Sequence, residues 1–286
     1  MAKLKVYYEL TKPGRIYANA MTAAAGFLLA AKWQINFGLL TALLVGISLI
    51  IASANTYNNV IDRDLDQKMA RTKHRALVKG DVPAASAIIY ASLMLAAGFL
   101  LLAFFTNWLV VLVGAIGFID YVILYGIAKR RTVHGTLVGC VSGAVSIVAG
   151  YVAVRGRFDS GALLLFLIMV LWQMPHSYAI GIYAQTDYAA AGIPVMPVKY
   201  GARVTKIQMA IYSAAFVIAA LFLTGLGDSG FIYFIIMALV GLTWFYINLN
   251  GFRAINNEAW AKKSFLFSLA IIPIFSLMLI IGPVIP

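Results

Sequence analysis

Residues 37–66 read FGLLTALLVGISLIIASANTYNNVIDRDLD. The first twenty, 37–56, carry no charged side chain. That is the length of a helix that crosses the hydrocarbon of a bilayer. The chain then turns abruptly polar, and Asn58, Asp62 and Asp66 follow at four-residue steps. On a helix these three lie on one face, about 6 Å apart per step. Acceptors so placed repel one another unless a cation sits between them. Their amide and carboxylate oxygens are hard ligands suited to Mg²⁺, which joins one or two carboxylates to substrate phosphates. A solvated loop helix, paired locally with Arg63 and Lys68, is the plainer alternative. Three features weigh against it. Only ten acids exist in the chain, and Asp62, Asp64 and Asp66 fall within five residues. They adjoin the end of an apolar span. Arg71-Thr72-Lys73-His74-Arg75 follows at once. Carboxylates for a metal beside cations for oxyanions make a diphosphate site. Arginine matches phosphate bidentately where lysine does not.

The apolar run is one of nine. They cover 16–31, 37–56, 83–106, 108–128, 135–154, 161–183, 207–226, 230–247 and 265–284. The 286 residues are 63% hydrophobic and 11% charged, with a mean hydropathy of +0.91. Soluble domains sit near 45–50% apolar, so a soluble enzyme, a disordered chain and a disulfide scaffold are excluded. The single Cys140 excludes an intrachain disulfide and a multi-cysteine metal site. The expected fold class is all-α, a polytopic membrane helical bundle of nine transmembrane helices, with 1–286 as one domain. Gly135, Gly139 and Gly143 recur every four residues on the fifth span, as helices packed closely in lipid require.

The formal charge of +12 arises from 22 Lys and Arg against ten acids. Nineteen of the 22 fall at the N-terminus or in the loops after even-numbered spans, and only Lys32, Arg155 and Arg157 fall opposite. This alternation is the positive-inside pattern. It predicts a cytoplasmic N-terminus and a C-terminus on the outer side. A nucleic-acid surface would not alternate with topology, so no nucleic-acid partner is expected. The start resembles neither a signal peptide nor a transit peptide, which favours a bacterial cytoplasmic (inner) membrane.

A second constellation closes the sixth span. His176, Tyr183 and Asp187 are spaced seven and four residues apart, which predicts one helix face. Asp187 then sits at the cytoplasmic end, with His176 roughly 16 Å deeper. Pro175 is expected to kink the span. An imidazole at that depth needs a partner and is a functional candidate. A histidine bonded to a neighbouring helix is the bland alternative. Tyr121 and Tyr125 share a face of the fourth span, with Lys129 next at the same step. Asp120 is one position off that face and reads as structural.

Asn58-x3-Asp62-x3-Asp66 followed by Arg71-Thr-x-x-Arg75 resembles the first aspartate motif of the UbiA superfamily of intramembrane prenyltransferases. Nine spans, with longer cytoplasmic connections after spans 2 and 6, fit that fold, whose helices surround a central cavity. Trp172-Gln-Met-Pro-His-Ser-Tyr178, Asp187-to-Val198, Thr11-Lys-Pro-Gly-Arg15 and the Gly150-to-Gly161 stretch resemble the branch that modifies haem. The resemblance implies Mg²⁺ held by Asn58, Asp62, Asp66 and, from the second motif, Asp187. It implies diphosphate on Arg71 and Arg75, with Lys73 and Lys199 assisting. It gives His176 a haem-binding role. Tyr121, Tyr125 and Tyr183 are cavity aromatics facing an allylic cation. The implied substrates are farnesyl diphosphate and haem B, and the implied product is haem O. Haem A synthase or terminal oxidase assembly would be partners beside the lipid bilayer. Ala76, His134, Asp120 and the Ala144-Val-Ser-Ile segment depart from the family pattern.

One other enzymatic reading and two of other classes compete. A quinone precursor or chlorophyllide could accept the prenyl group, which the Trp172-to-His176 and Asp187-to-Val198 segments argue against. A haem-binding assembly factor would not need a diphosphate site. A cation-coupled transporter could use the acidic face, but clustered arginines favour diphosphate over ion coupling.

Overall fold

Short polar side chains start several of the long helices. Asn36, Asn107 and Asn256 each accept a hydrogen bond from the backbone N–H three residues on. Asp159 accepts from Gly161 and Ala162. Each cap satisfies an N–H that the first helical turn leaves without a partner. The computed structural model describes residues 2–282, and among these no strand is present.

A short α1 (Ala2–Leu10) precedes α2 (Pro13–Ala31) and α3 (Phe37–Ile61). Two single turns follow, α4 (Arg63–Asp66) and α5 (Ala76–Lys79), then α6 (Ala84–Phe105) and α7 (Trp108–Ile119). A π turn at Asp120–Leu124 carries α7 into α8 (Tyr125–Arg131). The rest comprises α9 (Gly135–Arg155), α10 (Ser160–Tyr183), the short α11 (Gln185–Ala190), α12 (Met196–Gly225), α13 (Phe231–Asn250) and α14 (Asn257–Ile281).

Counting α7 to α8 as one, eight described helices are long and apolar enough to cross a membrane. The chain is therefore a multi-pass membrane protein. The ninth long helix is α2, where a span is expected over 16–31. It is less apolar because Arg15, Asn19 and Thr22 stand on it, and all three line an internal cavity. The structure also lengthens two expected spans. α12 begins at Met196 rather than 207, and α14 at Asn257 rather than 265. The added turns carry Lys199, Arg203, Lys206, Glu258, Lys262 and Lys263, polar ends that hydropathy alone leaves out. α12 absorbs a break at Gly201, whose φ of 79° is open to glycine. Residues 283 and 284 of the last expected span, and the C-terminus, lie outside the described residues.

Helix contacts form a closed circuit. α3 packs on α6, α6 on α7, α7 on α9, α9 on α10, α10 on α12, α12 on α13 and α13 on α14. α14 returns to α2, which packs on α3. α2 also lies along α9, and there the backbones touch. A Cβ on Gly26 would stand 2.1 Å from the Ile147 carbonyl oxygen, and one on Gly150 would stand 1.9 Å from that of Ala23. In lipid, helices associate by such close packing because burial from water supplies no drive. Phe27, Leu43, Ile147, Leu165 and Phe216 fill the interior around this contact and its neighbours.

Candidate active site

α3 ends at Ile61, and Asp62 takes φ −91°, ψ 4°. The chain nevertheless keeps its course. The Asp62 N–H bonds the Asn58 carbonyl at 2.9 Å, and the Asp66 N–H bonds that of Asp62 at 2.8 Å. The four-residue spacing therefore survives the helix end. Asn58, Asp62 and Asp66 are buried and line a cavity of about 560 Å³.

Buried carboxylates require cations. Asp66 is paired with Arg75 at 2.6 Å, and Asp62 with Lys129 from α8. Asp64 faces another way. Arg130 bonds both of its oxygens at 2.8 Å, and 59% of its side chain is exposed. Hydrogen bonds from Arg130 outweigh desolvation and hold the Asp64 pKa down to about 2.

The sequence reading gives Lys12, Arg15 and Lys129 no role in the diphosphate site, but the fold places all three on the cavity wall. Lys12, in a left-handed conformation at φ 53°, donates from Nζ to Asn58 Oδ1 at 3.0 Å. Burial holds its ammonium well below the usual lysine range. Arg15 and Arg75 add repulsion, and Asp62 and Asp66 oppose it. Arg15 donates to the Tyr121 hydroxyl, which lies 3.4 Å from Oδ1 of both Asn55 and Asn58. Lys129 also lies 5.1 Å from the centre of the Tyr125 ring. Two signals were available for these cations. Lys12 and Arg15 belong to the Thr11-to-Arg15 segment, and Lys129 follows Tyr125 by one four-residue step.

One expectation about the second constellation is overturned. His176, Tyr183 and Asp187 do not share a helix face. α10 ends at Tyr183, Ala184 takes φ −107°, ψ 24°, and Asp187 stands on the separate α11. Spacings of seven and four residues bring side chains onto one face only where the helix is unbroken. Asp187 still reaches the first acidic segment, because its Oδ1 accepts the Ala70 N–H at 3.1 Å. The Arg71 guanidinium lies 5.9 Å from the Tyr188 ring centre, and Leu65 and Met69 pack with Ala191 and Ile193. Asp187 and Tyr183 are not on the cavity wall, and Tyr183 packs on Phe265 at 5.5 Å between ring centres. Lys73 and Lys199 are exposed, away from that wall.

The wall has an aromatic part as well. Tyr121 and Tyr125 stack at 5.7 Å, and Gly139 leaves room for the Tyr125 ring, 2.7 Å from where a Cβ would stand. Asp120, at the π turn, is buried and accepts the Ser142 N–H of α9 at 3.0 Å. His176 lines the cavity from α10, which runs unbroken through Pro175. Its ring stacks on Trp172 at 4.7 Å and lies 5.0 Å from Phe265.

Among the described residues, no three Asp, Glu, His or Cys side chains converge into a ready-made metal cage. The donor set instead combines Asn58, Asp62 and Asp66. Asp62 Oδ1 is buried without a hydrogen-bond partner, and Arg130 Nη2 stands 3.6 Å off. An incomplete set of hard oxygens with one unbonded carboxylate oxygen fits Mg²⁺, which usually keeps water and phosphate in its shell.

The model of the UbiA prenyltransferase family matches residues 19–270. A protoheme IX farnesyltransferase of Yersinia pseudotuberculosis is 47% identical over 277 residues, covering 96% of this chain and 94% of its own. One from Sodalis glossinidius is 46% identical over 285 residues, covering 99% and 96%. Among solved structures, a digeranylgeranylglyceryl phosphate synthase superposes with a TM-score of 0.82 at 21% identity, covering 99% of both chains. A UbiA homologue from Archaeoglobus fulgidus, bound to GPP and Mg²⁺, superposes at 0.72 with 16% identity, covering 96% of this chain and 99% of its own. The structural likenesses establish a shared fold. The family model and the near-full-length relatives establish descent, and the chain belongs to the UbiA prenyltransferase family.

Proposed function

We propose that this prenyltransferase moves the farnesyl group of farnesyl diphosphate to a vinyl group of haem B, with addition of water, to give haem O and diphosphate. One observation carries the reading. A single cavity has a cation-rich carboxylate end, at Asp62, Asp66, Arg75 and Lys129, and an aromatic wall holding His176. That combination suits a substrate with a charged head and an apolar tail beside a second, planar apolar substrate. The names of the relatives at 46–47% identity, protoheme IX farnesyltransferases, support a farnesyl donor and a haem acceptor.

Asn58, Asp62 and Asp66 would hold Mg²⁺, and Asp187 steadies the acidic segment through the Ala70 N–H. When bound, the metal neutralises charge on the departing diphosphate. The side chains do the rest. Arg71 and Arg75 bind the diphosphate oxygens, and Lys12, Arg15 and Lys129 add positive charge at the same end. The allylic C–O bond breaks with its electron pair passing to diphosphate. Tyr121 and Tyr125 present ring faces to the farnesyl cation, while Tyr183 stands behind the wall on Phe265. The terminal vinyl carbon of haem B attacks it, forming a C–C bond and leaving positive charge on the adjacent carbon. Water adds there and loses a proton. The helix ring keeps the site dry enough for the cation to survive until attack. His176 positions the haem.

The enzyme acts as one domain over 1–286 in the bacterial cytoplasmic membrane, with the diphosphate end toward the cytoplasm. Purified protein incubated with haem B, farnesyl diphosphate and Mg²⁺ is expected to yield haem O by mass spectrometry. Absence of product under conditions where both substrates bind would overturn the reading.

A further inference from the structure

The hydrogen bonds around His176 determine which ring nitrogen is free. Nδ1 lies 2.7 Å from Ser268 Oγ on α14. The same Oγ lies 2.6 Å from the Phe265 carbonyl oxygen, one helical turn back. A serine hydroxyl has one proton, and a carbonyl oxygen can only accept. Both contacts are hydrogen bonds only if Ser268 donates to Phe265 and accepts from His176. Nδ1 must then carry the imidazole proton. Nε2 is left as an unprotonated nitrogen without a protein partner, on a residue that lines the cavity.

The surroundings hold this arrangement. The Trp172 indole N–H donates to the backbone carbonyl of Ser268 at 3.1 Å, which ties α10 to α14 beside the histidine. Trp172 and Phe265 confine the ring from two sides. Ser268 is itself fully buried, so no water competes for its hydroxyl. An imidazole that binds iron commonly has its other N–H fixed in this way, which sets both tautomer and ring direction.

We infer that Ser268 is a positioning residue that holds His176 as the Nδ1–H tautomer and presents Nε2 to the iron of the haem substrate. The inference rests on the proposed haem-farnesylating function, and its test separates the two. In ¹⁵N spectra of histidine-labelled protein without haem, the His176 signals are assigned by their loss in His176→Gln. They are expected to show a protonated Nδ1 and an unprotonated Nε2, and Ser268→Ala to shift the proton toward Nε2. A protonated Nε2 in the parent protein overturns the inference without need of any variant.

In haem titrations, Ser268→Ala is expected to weaken binding about ten-fold and move the Soret band, as loss of such a support does elsewhere. Ser268→Thr keeps the hydroxyl and should restore both, and the KM for farnesyl diphosphate should not move. An unchanged affinity and Soret band in Ser268→Ala overturns the inference. A haem spectrum unchanged in His176→Ala also overturns it, by removing iron from the role of His176. Formation of haem O by the parent protein decides the enzymatic reading separately.

Discussion

Asp62, Asp64 and Asp66 lie within five residues, and the fold gives each a different neighbour. Asp62 meets Lys129 and keeps one oxygen unbonded, Asp66 meets Arg75, and Asp64 turns out to Arg130. Asp62→Asn or Asp66→Asn is expected to lower kcat by at least about 100-fold at saturating Mg²⁺, the usual cost of losing an electrostatic group at a developing charge. Asp64→Asn should stay within about two-fold, because an exposed pair contributes little. A steady-state assay of the three variants checks this, and comparable losses in all three would contradict the division. Folding lowers the Asp64 pKa, so the stability contributed by its pair is full above about pH 4. It is lost as pH falls toward about 2, and stability across the neutral range should not depend on this carboxylate. The four-residue spacing was legible in the sequence. The separate fate of Asp64 was not, because it depends on Arg130 arriving from 66 residues away.

At the scale of the helix, the approach of α2 to α9 decides whether the cavity closes. A Cβ on Gly150 collides with backbone, which cannot move aside as a side chain can. Gly150→Leu is expected to abolish monodisperse protein in detergent size-exclusion chromatography. Gly14→Ala, where a Cβ meets nothing within 4 Å, should leave stability within about 1 kcal/mol. The π turn is a second element-level device. Asp120 fastens it to α9 through the Ser142 N–H, next to the stacked Tyr121 and Tyr125. Asp120→Leu removes the acceptor and should destabilise by about 1–3 kcal/mol, whereas Asp120→Asn keeps an acceptor oxygen and should lose less. Thermal unfolding in detergent distinguishes the two. Apolar runs located these helices well. They missed the polar turns that open α12 and α14, and although the sixth run ends at 183 as α10 does, the spacing to Asp187 carried its helix face past the break at Ala184. That residue leaves no mark in composition, since its break is set by how α11 docks on the acidic loop.

For the molecule as a whole, the charge distribution predicts the orientation of the bundle. Nineteen basic residues against three predict a cytoplasmic loop after α3 and an α9–α10 turn on the outer side. With Cys140 replaced by Ala, Lys68→Cys should be labelled by a membrane-impermeant maleimide only in inverted vesicles. Arg157→Cys should be labelled only in right-side-out cells. The opposite pattern would place the diphosphate end on the wrong side of the membrane.

The sequence by itself determined that this chain is a helical membrane protein and which short segment carries the paired carboxylates. Those properties are local, since hydropathy, charge and four-residue periodicity act over one or two turns. Only the tertiary structure decided which cations meet those carboxylates and that Asp187 arrives on a separate helix. It also brought Ser268 from the last helix within hydrogen-bond distance of His176 Nδ1. Each of these joins residues far apart in the chain, and such contacts exist only once the ring of helices has closed.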